Sequence, residues 1–181
     1  YENRYRPNRP ATPDEAARVI DFAKLVNTAD DAAFSERIHS FLDVDGFLRF
    51  LAANAMLVNL DSPLVMPQNF YIYLHPDTRK FIFMPWDLDL SLAAWPMGGP
   101  PEKQMDLSLM HPHAGEHKLI DRLLAVRSIR ERYQAILKEI AAGAFEDWAG
   151  NPFAGISGAT AWNFTTATSQ TPPAVIVVGD Q

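Results

Sequence analysis

The chain reads as an α+β fold in which helices pack around one short β-hairpin. Three observations predict it. Two β-prone apolar runs, Asn69–Phe70–Tyr71–Ile72–Tyr73–Leu74 and Phe81–Ile82–Phe83–Met84, flank the turn-forming run Pro76–Asp77–Thr78–Arg79–Lys80. Residues 44–60 carry Phe47, Leu48, Phe50, Leu51, Ala55, Leu57 and Val58 at helical spacing on more than one face, the pattern of a helix buried on most sides. Amphipathic segments on either side of these two features supply further helices.

Residues 1–11, with Pro7 and Pro10, form an extended lead-in. Thr12–Pro13–Asp14–Glu15 is a helix start, with Thr as N-cap, Pro in the first turn and Glu at the capping-box position. That helix runs through Val19, Phe22 and Leu25 to about Asn27. Asp30 or Asp31 caps a second helix through Phe34, Ile38 and Phe41, and Asp43 caps the buried third. Pro63 disfavours helical geometry at Ser62, so the chain leaves the third helix through Asn59–Leu60–Asp61–Ser62. After the hairpin, Ala94 to Pro101 is rich in Gly and Pro and is expected to be irregular. Residues 116–125 and 128–142 read as two more helices. From about Phe145 the composition turns to Gly, Ala, Thr, Ser and Pro without helical period. The division expected is a domain over 1–143 and an irregular tail over 144–181, in which Pro172–Gly179 could form one strand.

Composition sets bounds. With 48% hydrophobic and 21% charged residues, 181 residues can bury a real core. A net charge of −6 without a large basic cluster argues against nucleic-acid binding, which rests on phosphate neutralisation. No apolar run approaches the roughly 18 residues that suggest a membrane-spanning helix. The absence of cysteine excludes disulfides and thiol catalysis and is compatible with either redox compartment.

The second strand runs straight into Pro85–Trp86–Asp87–Leu88–Asp89. If extended, the i, i+2 spacing points Asp87 and Asp89 to one side, and a carboxylate pair there suits a hard cation such as Mg²⁺. Trp86 is expected in the core, its ring fixing the loop so that Asp87 points inward. The order is then a buried helix, Asp61 in a polar loop, Asn69 at the hairpin start and Asp87 at its exit. Protein kinases use an Asp to orient the substrate hydroxyl, an Asn to hold metal and a later Asp to hold Mg²⁺ in that order. Each residue also has a plainer reading. Asp61 could satisfy loop N–H groups, although a helix C-terminus is an unfavourable place for an acid. Asn69 could cap the strand start, and Asp89 could bond the backbone of the next loop. His111–Pro112–His113–Ala114–Gly115–Glu116–His117 gathers three imidazoles and a carboxylate, but zinc ligands more often lie on a helix or across two elements. It reads as a polar loop near the cleft, touching phosphates or substrate.

The combination Asn54–Ala55, Asn59–Leu60–Asp61–Ser62, Gln68–Asn69–Phe70–Tyr71–Ile72–Tyr73 and Phe83–Met84–Pro85–Trp86–Asp87–Leu88–Asp89 closely resembles the CotH kinase family, named for spore coat protein H. The resemblance is clear from about Asp43 to Leu92. It implies the mainly helical large lobe of an atypical protein-kinase-like fold, the hairpin carrying the metal-binding loop. It further implies ATP as co-substrate, Mg²⁺ or Mn²⁺ on Asp87, Asn69 and Asp89, and Asp61 as catalytic base toward a serine of a protein substrate. The implied setting is secreted, cell-surface or coat. No glycine-rich phosphate loop is visible, and no Lys-bearing strand precedes Asp61. Seven residues separate Asp61 from Asn69, against four in the kinase signature. With no initiator Met, the chain is expected to be a C-terminal lobe lacking its nucleotide-clasping partner, nearly inactive alone. The rival expectations are a coat-assembly module that keeps the fold without the chemistry, and a simple divalent-cation-binding domain.

Overall fold

The structure, a computed structural model, describes residues 9–143. The tail read over 144–181, its Pro172–Gly179 strand and most of the lead-in lie outside those residues. Helix α1 spans Pro13–Thr28. Thr12 Oγ1 accepts the Glu15 N–H while Glu15 reaches back to the Thr12 N–H, closing the expected capping box. Helix α2 (Asp31–Phe41) takes Asp30 as its cap, and α3 (Val44–Met56) takes Asp43. Strands β1 (Phe70–Leu74) and β2 (Phe81–Pro85) form an antiparallel hairpin with Phe70 opposite Pro85 and Leu74 opposite Phe81. Helix α4 (Pro101–Met105), α5 (Lys118–Ala125) and α6 (Arg127–Gly143) complete the order.

The core forms where α3 meets α6 on one side and β2 on the other, with α1, α2 and α5 closing around it. Apolar side chains at helical spacing on several faces of α3 explain its central place: Phe47, Leu48, Leu51, Ala52 and Ala55 are all buried. Phe83 of β2 stands among Phe47, Phe50 and Phe70, with ring centroids 4.9, 5.9 and 5.6 Å away. The Asp43 N–H donates to Phe81 O at 3.0 Å, tying the start of α3 to β2. Arg122 of α5 donates to the carbonyls of Leu25, Val26, Ala29 and Asp30 at 2.8–3.1 Å. One cation thereby satisfies acceptors that the end of α1 leaves open.

Two expectations about elements need correcting. The third helix stops at Met56, four residues short of Leu60, because Val58 adopts a left-handed φ of 47° and Asn59 N–H turns back to Asn54 O. The stretch 94–101 is not wholly irregular. A 3-10 turn spans Pro96–Gly98 and α4 starts at Pro101, each with a proline at a first-turn position whose missing N–H costs nothing. No helix among the described residues is long and apolar enough to cross a membrane.

Candidate functional site

Asp61 lies in the sharp turn that follows α3. Three buried polar side chains build that turn. Asn54 Nδ2 donates to Phe50 O at 2.9 Å, Asn59 Nδ2 donates to Asn54 Oδ1 at 2.8 Å, and Ser62 Oγ donates to Asn59 O at 2.5 Å. Asn59 and Ser62 are fully buried, so the loop is fixed from within the core rather than by surface contacts. On this support Asp61 is 8% exposed. Amides hold both its carboxylate oxygens: Gln68 Nε2 donates to Oδ1, and Asn69 Nδ2 donates to Oδ2 at 2.9 Å and to Asp61 O at 2.8 Å. A buried carboxylate needs such donors, because an unpaired one is costly to desolvate.

Asn69 joins this loop to the hairpin. Its φ of 59° is left-handed, a region that Asn tolerates better than most residues. Its carbonyl accepts the Trp86 N–H at 3.1 Å, one step beyond the last strand pair. Asp87 follows directly. The segment after β2 then folds back on the end of α3, with the Leu92 N–H donating to Leu57 O at 2.6 Å. Backbone bonds to Asn69 and to Leu57 thereby anchor the chain on both sides of the Asp87–Asp89 turn.

The structure brings Asp87 and Asp89 together, but not by the expected route. Strand β2 ends at Pro85 and Asp87 has φ 52°, so the two acids meet across a turn rather than along an extended strand. Repulsion from Asp89 raises the Asp87 carboxyl above its ordinary range. Desolvation, a hydrogen bond with Asp89 and the charge of Asp61 add smaller contributions. Trp86 also departs from expectation. It is 57% exposed and lies edge-on to Tyr71 at 5.2 Å, outside the core. Alternation explains this: Phe81 and Phe83 face inward, so the even-numbered residues Met84 and Trp86 fall on the outer face with Tyr71.

Asp87 and Asp89 are exposed at the hairpin exit and, with the Asn69 amide oxygen and the buried Asp61, are the oxygen-bearing side chains there that could hold a cation. Mutually repelling carboxylates fit a hard divalent cation, which removes the repulsion. They are not gathered into a finished sphere. Among the described residues, the three-residue His/Asp/Glu group with ligand atoms all within 4.8 Å is instead His111, His113 and Asp121. Two contributors had no assigned role in the sequence reading. Gln68 had a signal in its adjacency to Asn69. Asp121 had none, being eight residues from His113 and on a helix.

An α+β domain with an amide-clamped Asp beside an acidic hairpin exit is the class that fold and site define. The chain belongs to the CotH kinase family, whose profile, described as "CotH kinase protein", matches residues 2–151. It is also similar to "Inner spore coat protein H" of Bacillus subtilis (strain 168), with 29% identity over 87 residues. That match covers 48% of this chain and 22% of the relative, so it spans about a fifth of the curated protein. The family is kinase-like.

Proposed function

We propose that this chain supplies the catalytic Asp and the divalent-cation site of a protein kinase that phosphorylates serine on coat or surface proteins. The observation that carries this reading is the Asp61 carboxylate, held by the Gln68 and Asn69 amides beside the mutually repelling Asp87 and Asp89. The serine Oγ attacks the γ-phosphorus of ATP, the bond to the β,γ-bridging oxygen breaks, and ADP leaves with that electron pair. The hydroxyl proton passes to Asp61, which is already oriented by its two amide donors. Asn69 keeps its N–H groups on Asp61 and offers Oδ1 to an ion, while Asp87 and Asp89 offer carboxylates. Mg²⁺ or Mn²⁺ bound there would neutralise charge on the phosphates and orient them. The coat setting follows the name of the similar Bacillus subtilis protein, an inner spore coat protein.

A non-catalytic coat-assembly module is the second reading. The outer hairpin face favours it, since Tyr71, Tyr73, Met84 and Trp86 are all exposed there. The test is serine phosphorylation from γ-labelled ATP by the longest available polypeptide containing this chain, with Mg²⁺ or Mn²⁺. Transfer should fall at least 100-fold, roughly the lower end for general-base loss, in Asp61→Asn, and comparably in Asp87→Asn. Wild-type protein that folds but transfers no phosphate supports the assembly reading. Transfer that survives both substitutions removes these residues from catalysis.

A further inference from the structure

We infer that His111, His113 and Asp121 form a second metal site, selective for Zn²⁺ or a similar first-row ion and separate from the all-oxygen site at Asp87. The ligands come from two elements: His111 and His113 from the loop before α5, and Asp121 from the first turns of that helix. Usable ligand atoms of the three residues lie within 4.8 Å of one another. The closest edge is His113 Nε2 to Asp121 Oδ1 at 2.9 Å, and the His111 and His113 rings are 4.1 Å apart between centroids. Zinc holds nitrogen and oxygen ligands at about 2.0–2.2 Å, so tetrahedral ligand atoms sit roughly 3.3–3.6 Å apart. The His113–Asp121 edge needs to open slightly and the edges to His111 to close, and His111, exposed like Asp121, is placed to make that adjustment.

The alternative is a core histidine satisfied by hydrogen bonds, and the structure argues against it. The His113 side chain is 1% exposed, yet its Nδ1 is buried with no partner. Its ring orientation therefore does not serve both nitrogens; it serves the edge shared with Asp121. Asp121 is itself oriented, because Oδ2 accepts the His117 N–H at 2.9 Å. A ligand carboxylate held through its other oxygen is the outer support that metal sites use. The His117 ring stands 5.7 Å from that of His113. Two imidazoles and one carboxylate suit zinc, cobalt or nickel, whereas Mg²⁺ prefers oxygen alone.

The position suggests a clamp. Ala114 N–H, next to His113, donates to Leu64 O at 2.9 Å, three residues from Asp61. An ion joining this loop to α5 would brace the backbone that carries the catalytic Asp.

The test is titration of the full chain with Co²⁺ in excess Mg²⁺, read by the visible absorption of tetrahedral cobalt, with Zn²⁺ competition and thermal melting alongside. One equivalent should bind, Zn²⁺ should displace it, and Zn²⁺ should raise the melting temperature. The exposed His111→Ala substitution should keep the fold and weaken binding at least tenfold, as should Asp121→Asn, while His75→Ala on the hairpin turn changes nothing. No tetrahedral cobalt spectrum, or one unaltered in His111→Ala, overturns the site. His113→Ala should abolish binding if it folds; if it does not, His111→Ala decides.

Discussion

Asp61 is a buried carboxylate whose neighbours are amides rather than cations. Gln68 and Asn69 orient it by donating one hydrogen bond to each of its carboxylate oxygens. Asn69 carries a double load, since it donates twice to Asp61 and takes a left-handed turn at φ 59°. Asn69→Ala loses both bonds and keeps the backbone penalty, so a loss of about 2–4 kcal/mol is expected. A urea-denaturation midpoint measures it, and a loss under about 0.5 kcal/mol, the size of an ordinary surface substitution, would show that the clamp carries little. Asp61, Asn69 and Asp87 stood out in the sequence by residue type, order and neighbours. The amide bonds did not, because hydrogen-bond partners depend on how two loops meet. Trp86 was misjudged for a related reason: it was expected to fix the loop from the core, while strand alternation carries it to the outer face.

At the scale of elements, local chemistry was the most legible. Caps at Thr12 and Asp43 and the two hairpin strands could be read directly, and the cap at Asp30 to within one residue, since each rests on residues close in sequence. The end of α3 could not, because the early stop depends on Asn59 bonding back to Asn54 and on Leu92 docking against Leu57 from 35 positions away. The α1 start gives a pH test. Arg9 first, then the Thr12 N–H, pulls the Glu15 carboxyl from 4.5 down to about 2. A depressed folded value means that its stabilisation is present above about 4.5 and is lost as pH falls toward 2. The pair is exposed and salt-screened, so the effect is small. Wild type should melt above Glu15→Gln at pH 6, and the gap should close by pH 2. A gap independent of pH would mean that the capping geometry, not the charge, supports α1.

Across the described residues, helices α1, α2, α3, α5 and α6 make a packed back against which two edges are set. One is the turn after α3 meeting the hairpin exit, where Asp61 and Asp87 converge. The other is the His111–His113 loop meeting α5, and Ala114 joins it to the first through Leu64. The α+β class followed from periodicity, but the convergence of these edges is a property of chain return. Asp121 shows it best, because nothing in its local sequence marks it as a neighbour of His113. We propose that the acids at the hairpin exit hold a hard divalent cation beside Asp61. Mn²⁺ titration followed by paramagnetic resonance, with Zn²⁺ present to fill the histidine site, tests this most directly. One ion should bind, with an affinity that falls at least tenfold in Asp87→Asn and is unaffected by His111→Ala. Mn²⁺ binding equally well in wild type and Asp87→Asn would contradict it.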